Sequence, residues 1–243
     1  MGKVAILALT YGRPDMTRET WRNNLRKAGC DYDLYWFDNG SGEEDMLELI
    51  DIAHTYDIEW FNWSPTNEGI AKALNKMIDM AFARGAEYVV TMANDIVEPD
   101  NWLQMRIDAA ELITNTGVVA IPVEDSMRYS ITKIHDINVD GGRVIGNYLI
   151  TKQAYEKVGV FCVDYDPYGP IDLDYCDRCK LMDLRTYYLS DYKANHLGFD
   201  RNNNPAEYEQ DKKQSLNKHW VTYRRNQVNY SKGVNVYQCT ETK

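Results

Sequence analysis

The chain has 243 residues, 44% hydrophobic and 26% charged, enough for one large domain with a sizeable core or for two small ones. A net charge of −10 excludes a protein that coats nucleic acid or anionic membrane with its whole surface, while leaving room for a local basic patch. The five cysteines, an odd number, read as reduced thiols of a cytoplasmic protein, and no segment reaches the roughly 18 apolar residues that span a bilayer.

The elements follow in order. Lys3–Thr10 is a short apolar run, as in a strand covered on both faces. Pro14 opens a helix that runs to Lys27 and stops at Gly29. Asp33–Phe37 is a second strand, and Asp38-Asn39-Gly40-Ser41-Gly42 a turn cluster. A helix over Glu43–Tyr56, a strand over Ile58–Asn62 and a helix over Asn67–Ala83 come next. Glu87–Met92 is the fourth strand, Asp100–Leu112 a helix and Gly117–Pro122 the fifth strand. This alternation predicts an α/β fold with a mainly parallel sheet flanked by helices. Such sheets hold ligands at the carboxyl ends of their strands, where Thr10-Tyr11, Asp38-Asn39-Gly40 and Asn94-Asp95 all fall.

After residue 122 the rhythm changes. Ser130–Val139 and Arg143–Ile150 suggest an antiparallel hairpin around Asp140-Gly141-Gly142. Thr151–Val158 and Ile171–Met182 read as helices, the second opened by Pro170. Tyr187–Leu189 suggests a short strand and Arg201–Pro205 a loop, and Ala206–Arg225 is helical. Cys176 and Cys179 form a lone C-x-x-C with no second pair at zinc spacing, and on a helix they are simply neighbours on one face.

The motifs VAILALTYGRP, FDNGS, NEGIAKALN, MANDI, GNYLITKQAYEKVG, GPIDLDYCDR and NHLG occur in that order. Together they resemble the family 2 glycosyltransferases with the GT-A fold, over about residues 3–198. The resemblance implies a GT-A domain over 1–200, with a nucleotide-binding half at 1–122 and an acceptor and catalytic half at 123–200. Residues 201–243 would form a helical extension packed on it. It further implies a hexosyltransferase-like enzyme that moves a sugar, with inversion, from a nucleoside-diphosphate sugar (a UDP-sugar) to a hydroxyl of a glycan or glycoconjugate.

Residue by residue, the resemblance gives Thr10, Tyr11, Arg13 and Asp38 to the base and ribose. It gives Asn67, Gly69 and Asn75 to the element beside the nucleotide, where a helix amino terminus also favours phosphate. Asp95 falls on the last acid of the family's D-x-D, which holds Mn²⁺ or Mg²⁺. Ala93 replaces the first acid and Asn94 stands between them. Such hard cations need only one or two carboxylates when phosphate and water complete the shell. His196 is expected to complete the metal site. Asp172 aligns with the catalytic base and Arg178 with a donor-side arginine, while Ile171 replaces the usual Glu. In this reading Asp174 and Arg178, four apart on one helical face, pair with each other sooner than they touch substrate, and the helix dipole and burial act on Asp172 in opposite directions.

The tail interleaves Lys212, Lys213, Lys218, Arg224 and Arg225 with Trp220 and Tyr223. That pattern suits a phosphate, a sugar or a peripheral membrane surface, or a helix that packs its aromatics inward and leaves its charges in water. Three rival functions share parts of this pattern. They are a non-catalytic sugar-nucleotide binder, favoured by Ala93 and Ile171, a nucleotidyltransferase, which would want a richer glycine loop than TYGRP, and a glycosyltransferase acting on modified DNA bases.

Overall fold

The computed structural model describes residues 3–123, 130–197 and 206–240. A nine-stranded sheet forms its centre. The strands are β1 (Val4–Thr10), β2 (Asp33–Asp38), β3 (Ile58–Trp63), β4 (Tyr88–Met92), β6 (Thr116–Ala120), β7 (Ile131–Ile134), β8 (Ile137–Gly141), β9 (Tyr148–Thr151) and β10 (Arg185–Leu189). Their spatial order is β3-β2-β1-β4-β9-β6-β10-β8-β7. A separate two-stranded ladder pairs β5 (Ile96–Val97) with β11 (Asn195–His196).

The helices are α1 (Pro14–Asn24), α2 (Glu43–Ala53), α3 (Ile70–Ala83), α4 (Trp102–Leu112), α5 (Lys152–Val158), α6 (Ile171–Leu181) and α7 (Ala206–Tyr230). Although β1 is apolar throughout, its side chains alternate in destination. Ala5 and Leu7 join a core built with α3, α5 and α6. Val4, Ile6 and Ala8 join the opposite core, with Trp21 of α1, Leu49 of α2 and Trp102 of α4. Two buried layers therefore cover the sheet, as parallel strands require.

The first four strands are parallel, and β6 is parallel to β10. Between these groups lies β9, antiparallel to both β4 and β6. This corrects the expected hairpin around Asp140-Gly141-Gly142. The turn lies at His135-Asp136, between β7 and β8, with φ of 49° and 67°. Two successive left-handed residues give the primed turn whose twist matches a hairpin. The apolar run predicted to end that hairpin instead crosses to the middle of the sheet.

The inner face of α7 is buried at His219, Tyr223, Asn226 and Tyr230, a helical stripe. Asn226 donates to the Tyr165 hydroxyl at 2.9 Å, and Tyr230 donates to Asp174 at 2.7 Å. The helix extends five residues beyond the expected Arg225 end. Past it, Gln238 exchanges backbone hydrogen bonds with Val158 and Val160. Arg201–Pro205, expected as a loop, lies outside the described residues. The thiols of Cys176 and Cys179 are buried, and burial pushes the former up to about 12. Among the described residues no helix is long and apolar enough to cross a membrane.

Candidate active site at the carboxyl end of the sheet

Asp95 follows β4 by three residues and opens onto the carboxyl edge of the sheet. Its Oδ2 lies 3.3 Å from an Arg13 guanidinium nitrogen and 3.5 Å from His196 Nε2. Three distant segments thus meet at one carboxylate oxygen. Arg13 reaches it from a left-handed backbone (φ 56°) at the head of α1. His196 reaches it because β11 pairs with β5, and the Leu197 N–H donates to the Asp95 carbonyl at 2.8 Å. The Asn94 side chain donates to Thr17 Oγ1 at 3.3 Å, which ties the same loop to α1.

A buried polar brace supports this loop from below. The Ala93 N–H donates to Asn147 Oδ1 at 2.7 Å, and the Asn147 amide donates to Glu98 Oε1 at 3.0 Å. Arg106, fully buried, donates to the same Glu98 oxygen at 2.8 Å and to the Asn147 carbonyl at 3.1 Å. Removing one partner of a buried ion pair costs about 3–5 kcal/mol, so this brace is held rigidly. Neither Asn147 nor Glu98 was expected from sequence. Asn147 sits inside a quoted motif, but its partner Ala93 is 54 residues away and no local pattern links them.

Asp172 stands in the first turn of α6 and is half-buried. Burial raises its pKa to about 6, against the lowering effect of the Leu173 N–H that donates to it and of its own N–H. Burial first, and the Asp172 carboxylate second, push the neighbouring Tyr148 phenol well up. The Tyr148 N–H in turn donates to Thr91 Oγ1 in β4. Asp172 thus acts on Tyr148, a residue whose backbone is hydrogen-bonded one position before the end of β4.

The side chains of Thr10 and Asp38 are turned inward. Asp38 is 1% exposed, and its oxygens accept from Thr10 Oγ1, Ser41 Oγ and the N–H groups of Gly40 and Ser41. A carboxylate offers about four acceptor positions, and all are used. The expected hydrogen bond from Asp38 to a base or ribose is therefore not met here. Thr10 is spent likewise, donating to Asp38 and accepting from Trp36 Nε1. Tyr11, 47% exposed, stays open at this edge.

Asn67 accepts from the Asn39 amide and the Gly69 N–H, zipping the loop after β3 to the turn after β2. The phosphate expected at the head of α3 is displaced by a protein carboxylate. Asp166 accepts from the Ala71 and Lys72 N–H groups at 2.8 and 3.1 Å. Gly69 (φ +102°) permits this, since a Cβ there would lie 2.2 Å from Asp166 Cγ. Asn75 instead clamps the peptide of Phe161 through two 2.9 Å bonds.

Arg178 is the plainest correction. It is fully buried, paired with Asp174 at 2.8 Å, and donates to the Val158 and Val160 carbonyls. It braces the core and presents no surface to a donor substrate. A separate hollow of about 390 Å³, lined in part by Cys30, Asp31 and Asp33, lies at the other end of β2 from Asp38.

Parallel strands flanked by helices, with an acidic loop after β4, define a GT-A type of fold, and solved structures agree. A mannosyltransferase from Pyrobaculum calidifontis, in complex with GDP-Man and Mn²⁺, superposes with a TM-score of 0.65 at 15% identity, covering 82% of this chain and 58% of its own. GalNAc-T7 with UDP, GalNAc and Mn²⁺ gives 0.62 at 9% identity, covering 81% and 44%. S. aureus TarS gives 0.57 at 15%, covering 80% and 36%. The chain thus spans less than two thirds of the length of these glycosyltransferases. No curated protein sequence matches it.

The sequence model of glycosyl transferase family 2 matches residues 6–165. The chain belongs to that family, with the GT-A fold. The matched stretch includes Arg13 and Asp95 and ends before Asp172 and His196.

Among the described residues no three His, Cys, Asp or Glu side chains gather as a metal site. Asp95 and His196 nevertheless converge, and one carboxylate with one imidazole fits a Mn²⁺ whose remaining ligands are phosphate and water oxygens.

Proposed function

We propose that the chain is an inverting glycosyltransferase moving a sugar from a nucleoside-diphosphate sugar, a UDP-sugar by preference, to a hydroxyl of a glycan or glycoconjugate. The observation that carries this reading is the meeting of Arg13, Asp95 and His196 just after β4. Arg13 brings positive charge for the diphosphate, Tyr11 and Asn94 stand on the approach for the nucleotide, and Asn67 and Gly69 shape the loop behind it. When bound by Asp95 and His196, Mn²⁺ or Mg²⁺ supplies Lewis-acid stabilisation of the leaving diphosphate. Asp172 accepts the proton of the acceptor hydroxyl as that oxygen attacks the anomeric carbon from the face opposite the leaving group. Its pKa of about 6 makes it a stronger base than an exposed carboxylate, while leaving it ionised at neutral pH.

Residues 1–122 would bind the donor and 123–200 the acceptor, with 201–243 as an extension. Five free thiols, three of them buried, suit work in a reducing cytoplasm.

The test is Asp172→Asn. Transfer is expected to fall by about 10²-fold or more with nucleotide binding kept, since general base catalysis supplies that order. In the parent enzyme kcat falls as pH drops below about 6, because the proton then occupies the base. Near-parent turnover by the variant would remove Asp172 from the mechanism. In a companion measurement, Asp95→Ala is expected to abolish the gain in UDP affinity that Mn²⁺ confers. An unchanged gain would withdraw Asp95 as ligand.

A further inference from the structure

The outer face of α7 is unlike the rest of the surface. Residues 212–240 carry six basic side chains and no acidic one, against −16 for the remainder of the chain, although the first turns of α7 hold Glu207, Glu209 and Asp211 and bring the helix as a whole to +2. Opposite the buried stripe of α7 lie Val221 and Val228, 71% and 54% exposed. They are seven residues apart, two helical turns, and so share one line. At 100° per residue, Lys213, Trp220 and Arg224 flank that line on one side, and Lys218 and Arg225 on the other. Arg225 is partnered by Asp164 at 3.2 Å. Among the described residues Lys218, Arg224 and Lys232 enter no ion pair.

We propose that this face of α7 is a docking surface for the anionic headgroups of a lipid bilayer. The acid-free part of α7, Lys212 to Tyr230, rises about 28 Å, and this is the length that would lie along the plane. The bases would meet lipid phosphates while the two valines and the half-exposed Trp220 enter the headgroup boundary, where an indole is favoured. A polyanion such as duplex DNA would use the charges alone and leave the valines idle. It would also approach the −16 body on more than one side. On its inner face the same helix holds the loop before α6, since His219 Nδ1 and Ser215 Oγ both lie within 2.9 Å of the Tyr168 carbonyl.

The experiment is co-sedimentation of the full chain with vesicles of phosphatidylcholine alone or with about a third phosphatidylglycerol, at low and high salt. Pelleting is expected with the anionic vesicles only, and to weaken as salt rises. Lys218→Glu with Arg224→Glu should lower partitioning at least about 30-fold, as each basic residue near the surface contributes roughly fivefold. Val221→Ser with Val228→Ser should weaken it with every charge kept. All four sites are exposed, so melting temperatures should match the parent. Absent pelleting, equal pelleting with neutral vesicles, an unaffected charge variant, or tighter binding to duplex DNA of matched phosphate concentration would each overturn the proposal. No donor sugar is present, so failure here leaves the transfer reading standing, and failure of Asp172→Asn leaves this one.

Discussion

At Asp172 two opposing influences meet, and magnitude decides between them. N–H groups at the head of α6 favour the anion, burial disfavours it, and burial prevails at about 6. An unfolded aspartate titrates near 3.9, so at intermediate pH the folded protein keeps a proton that the unfolded chain has released. The associated stability is present near pH 4 and is lost as pH rises through 6. Asn at this position stays neutral throughout. Asp172→Asn should therefore be more stable than the parent at pH 7.5, by about 1–3 kcal/mol, with the gap closing near pH 4. Urea unfolding at the two pH values checks this, and a variant less stable than the parent at pH 7.5 would refute the burial argument. The residue scale is also where the sequence misled. The i,i+4 spacing of Asp174 and Arg178 already suggested a pair, but only coordinates show Tyr165 and Tyr230 donating to that aspartate and enclosing it. Asp38 was legible as a turn acid. That Thr10 and Ser41 would fill its oxygens follows from strand register, which local pattern does not carry.

Elements separate into those built from local pattern and those built from distant pairing. The strands and helices up to residue 122 were legible because period and breakers agree there. The β5–β11 ladder was not, since two-residue strands have no periodicity, yet this ladder delivers His196 to Asp95. Nor was the cap of α3, because Asp166 comes from 95 residues away. That cap gives an element-level prediction. Gly69→Ala would drive a Cβ into Asp166, unseat the carboxylate from two N–H groups and strain a backbone at φ +102°. A loss of about 2–4 kcal/mol in urea unfolding is expected, from the cap and the strain together. A loss under about 0.5 kcal/mol would mean that the loop relaxes freely.

Over the whole molecule, charge and topology are both divided. The acidic body and the basic stretch 212–240 make a polar molecule of a chain that composition alone describes as merely acidic. The sheet is divided too: β3, β2, β1 and β4 are one parallel group, β6 and β10 another, and β9 alone hydrogen-bonds to both. Four residues, Tyr148 to Thr151, thus act as a keystone. Until they are inserted, neither group has a neighbour along its inner edge, and both expose open ladders of the kind that recruit foreign strands. Because Asn147, immediately before them, also grips the loop of Asp95, the same seating event that closes the sheet fixes that loop. A chain caught before that event would be both inert and prone to aggregate.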